Sequence, residues 1–184
     1  MPTSILIPAV ADIVKGRRSP LHGGPIHVVG AGGISDGRGL AMALSLGASA
    51  VWVGTRFVAS EEGDAPARHK EAVLSAGVHD TVRTLIFSGR PMRVKKNEYI
   101  MDWEQNRASE MKELLANGKL PYTVDEGKPN AAQMLEAAKP WLMGQVAGVV
   151  SDIKPAAAII NEMMEGCIDT LRSNVALISP VSKL

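Results

Sequence analysis

Two short apolar segments, each followed by a glycine-containing turn, constrain the fold of this chain more than any other feature. Residues 26–31 (IHVVGA) precede Gly-Gly-Ile, and residues 48–53 (ASAVWV) precede Gly-Thr. Between them, residues 36–46 have the apolar spacing of a helix that packs on a sheet. This strand–turn–helix–strand order predicts a parallel α/β fold, in which both turns lie at the same edge of the sheet.

The two turns together form a candidate anion site. Glycine lets the backbone approach an oxygen-rich ligand closely and permits positive φ, so residues 30–34 (GAGGI) can present N–H groups. Gly54 and Thr55 add a second pair of N–H groups and a hydroxyl. Because both turns open on one side, they predict a phosphorylated ligand. Neither turn is a GxGxxG or Walker A motif, and a tight strand-to-helix turn favours glycine for structural reasons alone.

Composition narrows the functional class. The 20 Lys and Arg residues nearly balance the 19 Asp and Glu residues, and aromatic residues make up 4%, which argues against nucleic acid as a partner. Cys167 has no second cysteine with which to form a disulfide or a metal site. We therefore expect it to be a buried residue of a helix, and the protein to be in a reducing compartment. No apolar run reaches 18 residues, so neither a membrane span nor a membrane partner is expected.

The rest of the chain is predicted to be mostly helical. A helix is expected at residues 5–14 with Pro8 in its first turn, and Asp36 and Gly47 are expected as the N-cap and C′ residues of the next helix. The other predicted elements are helices at 65–76, 102–116, 131–138, 141–150 and 155–171 (the last capped by Asp152), a possible strand at 81–87 and a loop at 120–130.

Two or three strands cannot close a barrel, so the chain is expected to be the C-terminal part of a larger α/β protein with an open strand edge.

No catalytic or metal site can be built from the histidines. His22, His27, His69 and His79 lack metal-ligand spacing, and none is expected to be a catalytic base.

For two residues beside the second turn, the sequence allows alternative roles. Trp52 either packs in the core or faces a ligand, and Arg56 pairs either with a ligand or with Glu61 or Asp64.

Taken together with further motifs, the two turns resemble the nitronate monooxygenase family, formerly called 2-nitropropane dioxygenases, and most of all its fungal-type members. The matching segments are residues 31–39 (AGGISDGRG), 46–48 (LGA), 52–57 (WVGTRF), 88–91 (SGRP), 102–107 (DWEQNR) and 144–148 (GQVAG). The resemblance extends from about residue 2 to residue 172. The AGGI and GT segments alone would also suit FMN-dependent enoyl reductases and other phosphate-binding barrels.

The resemblance implies a TIM-type (β/α)8 barrel that binds FMN, together with a mostly helical second domain. Here the barrel is expected to be incomplete, with its C-terminal βα units at 1–58, a helical substrate-side domain at 59–138 and returning helices at 139–184. The implied reaction is oxidation of alkyl nitronates by O2 to a carbonyl compound and nitrite. By motif, the residues expected to bind the cofactor are Ala31, Gly32, Gly33, Gly54, Thr55 and Gln145.

The resemblance also implies what the chain lacks. The family's catalytic His, in a Gly-His-x-Gly motif, is expected at or just before residue 1, so no catalytic residue is assigned here. The chain alone is therefore expected to have little or no activity. A non-catalytic truncated remnant and an FMN-dependent enoyl reductase-like enzyme remain alternatives.

The last three residues, Ser182, Lys183 and Leu184, match a peroxisomal address that an import receptor reads. They predict a peroxisomal location if the source is eukaryotic, and a cytoplasmic one otherwise.

Overall fold

The computed structural model describes residues 1–128, 131, 134, 136, 138–175 and 177, and confirms the α/β class. Ser182, Lys183 and Leu184 lie outside the described residues, so the peroxisomal address stays a prediction. The chain divides into two compact units, one formed by residues 1–64 with those from 152 onward, the other by residues 65–151. The three-part division at residues 58 and 138 stays a prediction. No helix in the described part is long and apolar enough to cross a membrane.

The secondary structure follows the predicted order in outline. In chain order the elements are α1 (Thr3–Val14), β1 (Val29–Ala31), α2 (Gly37–Ser45), β2 (Ala50–Trp52), α3 (Thr55–Val58), α4 (Ala67–Leu74), β3 (Thr81–Thr84), β4 (Met92–Lys95), α5 (Glu98–Gln105), α6 (Ala108–Ala116), α7 (Pro121–Glu126), a 3₁₀ helix (Gln145–Val149) and α8 (Ala156–Val175). Helix α1 begins earlier than predicted, so Pro8 lies inside it rather than in its first turn.

In the first unit, β1 and β2 pair in parallel and α2 connects them, as the sequence predicts. The Asp36 carboxylate accepts a hydrogen bond from the Gly39 N–H at 2.8 Å, which confirms the predicted N-cap. Gly47 follows the C-cap with φ +97°, the conformation that glycine adopts at C′ without strain. Asp36 and Gly47 thus mark the start and the end of α2, the helix that connects β1 and β2.

Helices α2 and α8 cross at a glycine contact that brings their backbones together. A Cβ built on Gly37 would lie 2.4 Å from the backbone N of Cys167 and 2.4 Å from the backbone C of Gly166. A Cβ on Gly166 meets its nearest neighbour, the Gly37 Cα, at 3.4 Å. Cys167 is buried in the core of the unit, as predicted. The core also contains Ile7, Leu40, Ala41, Ala43, Ile159 and Met163.

The second unit contains an antiparallel pair, β3 and β4, and a core that includes Trp103. The single helix predicted at 102–116 is wrong, because the chain breaks between α5 and α6. Arg107 has φ −115° and ψ 20° at this break, and its guanidinium bonds Asp125 and Glu110. The loop predicted at 120–130 is wrong at residues 121–126, which form α7. Pro121 occupies the first turn of this helix, where its missing N–H costs nothing.

Two further predictions are corrected near the C-terminal part of the chain. The predicted helix at 141–150 is a 3₁₀ helix preceded by extended residues, where the Met143 N–H donates to the Arg93 carbonyl at 3.2 Å. Asp152 does not cap α8; the Glu62 carboxylate accepts from the Ala156 N–H at 2.7 Å instead. Much of the helix predicted at 131–138 falls on residues outside the described ones.

A buried carboxylate joins the helices of the second unit. Asp125 is 0% exposed, and its Oδ2 accepts hydrogen bonds from Tyr99, Trp103 and Arg107 at 3.0–3.1 Å. Lys128 forms an ion pair with Oδ1 at 2.6 Å. Burial opposes ionisation, but the hydrogen bonds from Lys128 and Arg107 hold the pKa of Asp125 below its usual value.

Gly37→Ala is expected to destabilise the protein, whereas Gly166→Ala is not. The new methyl group at residue 37 would force the two backbones apart, at a cost of about 2–3 kcal/mol. At residue 166 there is room, and replacing glycine inside a helix contributes about 0.5–1 kcal/mol of stability. Thermal unfolding followed by circular dichroism measures both. A G37A variant as stable as G166A would contradict the glycine contact.

Asp125→Asn is expected to lower the free energy of unfolding by at least about 2 kcal/mol. The amide carries no charge and has an NH2 group in place of one acceptor oxygen, so either Lys128 or Arg107 loses its acceptor. The pKa of Asp125 is lowered on folding, so its contribution is fully present above the unfolded pKa of about 3.9 and is lost as pH falls through the lower folded pKa. The stability difference between the native chain and D125N should therefore shrink below about pH 4. Asp102→Asn, at an exposed site, is the matched control in urea titrations at several pH values. A difference that does not change with pH would contradict this account.

Candidate functional site

The parallel register places the two predicted turns side by side. Ala31 pairs with Trp52, so β1 and β2 end together and the chain leaves both strands at the same edge of the sheet. Gly32 and Gly33 follow with φ +98° and +75°, a region that other residues rarely adopt. Gly54 precedes α3, and its carbonyl accepts hydrogen bonds from the N–H groups of Phe57 and Val58 at 2.9 and 3.0 Å.

The first turn is held by the Thr3 side chain, a contact that the sequence analysis missed. The Thr3 hydroxyl donates to the Gly32 carbonyl at 2.9 Å and lies 3.3 Å from the Ala31 carbonyl. In a trans peptide the N–H of the next residue points opposite to the carbonyl. By holding the Gly32 carbonyl, Thr3 therefore sets the direction of the Gly33 N–H, away from its own hydroxyl. No local pattern signals this contact, because the partners are 28 and 29 residues apart.

The space beside both turns suits an oxygen-rich group. A Cβ built on Gly33 or on Gly54 would meet no atom within 4 Å. The surface that a side chain would otherwise cover is therefore open, and a phosphate can approach the backbone directly. The residues of the two turns thus fit the phosphate end of FMN.

Arg56, directly after the second turn, has a partner that the sequence analysis did not anticipate. The pairing with Glu61 or Asp64 is wrong: the Arg56 Nη2 lies 2.6 Å from Asp152 Oδ1, and Nη1 donates to the Asp152 carbonyl at 2.8 Å. The Arg56 side chain is 8% exposed. A cation buried to this degree needs such a partner, because removing it from water is costly.

The chain after the second turn is joined to residues 152–156 at two more points. Ser60 and Lys154 form a parallel bridge, in which the Glu61 N–H donates to the Lys154 carbonyl at 3.0 Å. The Glu62 carboxylate accepts from the Ala156 N–H. We call residues 152–156 the strap.

The other candidate residues lie apart from these contacts. Trp52 is 74% exposed, so it does not pack in a core of the described residues. His27 Nδ1 lies 3.3 Å from the Ser49 hydroxyl, and His69 Nε2 lies 2.7 Å from the Leu142 carbonyl, while His22 and His79 are exposed. Within the described residues, no group of three or more His, Cys, Asp or Glu side chains is arranged to hold a metal ion.

Gln145 begins the 3₁₀ helix of the second unit and is exposed. Its role at the cofactor rests on its motif and stays a prediction. Asp36, near the first turn, is ionised at neutral pH. Burial opposes this, but the Gly39 N–H and the Arg38 guanidinium hold the pKa of Asp36 below its usual value.

Comparison with known proteins identifies the family. The chain belongs to the nitronate monooxygenase family, whose pattern it matches over residues 2–166. It is 30% identical over 175 residues to a protein of Mycobacterium tuberculosis named as a monooxygenase, Rv1533, covering 92% of this chain and 44% of that protein. It is 32% identical over 210 residues to a 5-hydroxy-7a-methyl-1-oxo-octahydro-1H-indene-4-carboxyl-CoA dehydrogenase of the same organism, covering 96% of this chain and 57% of that one. The chain thus spans about half the length of these relatives.

A third relative and two solved structures are also similar to this chain. A protein of Staphylococcus saprophyticus named "Probable nitronate monooxygenase" is 39% identical over 98 residues, covering 53% of this chain and 25% of that protein. FabK from Thermotoga maritima matches with a TM-score of 0.69 and 34% identity, over 97% of this chain and 52% of that one. A nitroalkane oxidase from Streptomyces ansochromogenes shares the fold, with a TM-score of 0.66 and 24% identity, over 94% of this chain and 45% of that one. These structural neighbours are TIM-barrel enzymes. The resemblance to fungal-type members stays a prediction.

Proposed function

We propose that this chain is part of an FMN-dependent oxidoreductase that oxidises alkyl nitronates with O2 to a carbonyl compound and nitrite. The observation that carries the proposal is the register that aligns Ala31 with Trp52, and with them the two glycine turns, in a chain of the nitronate monooxygenase family. FMN, when bound, supplies the electron transfer, and the protein binds and orients it.

The phosphate of FMN is proposed to lie against the backbone of the two turns. The N–H groups of Ala31, Gly32 and Gly33 are proposed as donors on the first turn, with Gly54 and Thr55 on the second. Support comes from the positive φ angles of Gly32 and Gly33 and from the open space beside Gly33 and Gly54. Donors already oriented by the fold need little rearrangement on binding, which favours affinity.

The barrel is proposed to be incomplete within this chain. Among the described residues, the parallel sheet of the first unit has two strands, and the chain spans about half the length of its relatives. We infer that it corresponds to the C-terminal portion of the whole enzyme. The 184-residue sequence also contains no Gly-His-x-Gly motif, so the catalytic base is proposed to come from outside it. On its own, the chain is proposed to be weakly active or inactive.

Enoyl reduction with a nicotinamide donor is the second candidate function. It is favoured by one observation, the 34% identity to FabK over 97% of this chain. The two activities differ in their co-substrates, since nitronate oxidation consumes O2 and releases nitrite, whereas enoyl reduction consumes the nicotinamide. A non-catalytic remnant would show neither activity.

The purified chain is expected to retain FMN after mixing and desalting, and to release little or no nitrite from an alkyl nitronate in air. The visible absorption spectrum measures the first and a nitrite assay the second. NADPH with an enoyl thioester substrate, in the same buffer, is the parallel assay. A folded chain that retains no flavin would contradict the phosphate site, and reduction of the enoyl thioester would favour the second function. Rapid nitrite release would overturn the proposed need for an outside base.

Thr3→Val is expected to weaken FMN binding about fivefold, because one hydrogen bond that orients the first turn is lost, at a cost of about 1 kcal/mol. Thr3→Ser keeps the hydroxyl and should bind FMN like the native chain. Quenching of flavin fluorescence gives the Kd of each variant. Equal affinities for T3V and T3S would exclude a role of the Thr3 hydroxyl in the site.

A further inference from the structure

The Arg56 side chain connects the second turn to a segment almost 100 residues later in the chain. Arg56 is separated from Gly54 by one residue, and its guanidinium bonds both the side chain and the backbone carbonyl of Asp152, at 2.6 and 2.8 Å. A planar guanidinium that bonds two groups of one residue restricts both distance and orientation. The start of α3 is therefore held in one position relative to the strap.

The strap also holds the far end of the same segment. The Ser60–Lys154 bridge and the bond from Ala156 to Glu62 attach residues 60–62, while β2 fixes the chain before Gly54 through its pairing with β1. The backbone of the second turn is thus held on both sides. Glycine at residue 54 would otherwise leave this backbone with wide conformational freedom.

Asp152 engages the positive charge of Arg56 and that of Lys154, whose Nζ lies 3.1 Å from Asp152 Oδ2. The buried guanidinium therefore has a carboxylate partner within the protein. This arrangement suits a residue that supports the turn from inside the protein better than one that contacts a ligand phosphate.

We propose that Arg56 and Asp152 are positioning residues, whose ion pair sets the geometry of the Gly54–Thr55 turn for the phosphate of a flavin nucleotide. This inference rests on the proposed function, since it assigns a role within the same phosphate site. The effect of the pair is transmitted through the backbone of the turn. Loss of the ion pair should therefore weaken the binding of the phosphate group and leave the binding of the rest of the flavin unchanged.

The test compares FMN with riboflavin, which lacks the phosphate, on the full chain and three variants. Arg56→Met, Asp152→Asn and the double variant are each expected to raise the Kd for FMN about tenfold and to leave the Kd for riboflavin unchanged. The double variant should bind no more weakly than Arg56→Met, because Arg56→Met already removes both bonds from the guanidinium to Asp152. Arg172→Met, which removes an exposed arginine of the same unit, is the control and should bind FMN like the native chain. Flavin fluorescence gives the Kd values, and circular dichroism verifies folding.

The outcomes separate three possibilities. If the native chain prefers FMN and the folded variants keep that preference, the positioning role is wrong and the proposed function stands. If Asp152→Asn tightens FMN binding, Arg56 binds the phosphate directly and the proposal is overturned. If the native chain does not distinguish FMN from riboflavin, the phosphate site itself is wrong, and both proposals fail. If the Arg56→Met variant does not fold, the Asp152→Asn variant alone decides the test. This second variant is suitable because the Asp152 side chain is 44% exposed.

Discussion

The parallel register between β1 and β2 is the constraint on which the candidate site depends. It makes the strands end at Ala31 and Trp52 together, so that two turns separated by one βα unit lie beside each other. Helix α2, which connects the two strands, is itself held by its capped ends and by its close contact with α8 at Gly37. A change at this helix contact would therefore reach the site without touching any residue in it.

Each of the two turns is held by a side chain distant in the sequence. Thr3 bonds the carbonyl of Gly32, and Arg56 ties the start of α3 to Asp152. Glycine at such turns allows close approach of a ligand but leaves the backbone flexible, so a defined site requires outside support. The chain meets both requirements by combining glycine in the turns with hydrogen bonds from elements on either side.

In the second unit, the buried carboxylate of Asp125 connects the helices around it. Asp125 receives hydrogen bonds from side chains of α5 and of the break before α6, and Arg107 also lies 3.3 Å above the centre of the Trp103 ring. Burial raises the pKa of Tyr99, which therefore remains a hydrogen-bond donor across the physiological range. This network explains why the helix expected at 102–116 is interrupted. The backbone of Arg107 is not helical, and in this conformation its side chain bonds the buried carboxylate of Asp125.

The α/β class, the cap at Asp36, the left-handed glycine at residue 47 and the alignment of the two turns follow from the amino-acid sequence, because each depends on residues within one βα unit. The partners of Thr3, Arg56 and Asp125, the glycine contact between α2 and α8, and the break at Arg107 could not be predicted in this way. Apart from the contact of Asp125 with Lys128, they join residues 18 to more than 100 positions apart, and such pairs are selected by how the elements pack rather than by local preference. Local hydrogen bonding and periodicity thus specify the elements and the turns, whereas the supports that give those turns a defined geometry arise only when distant elements are brought into contact.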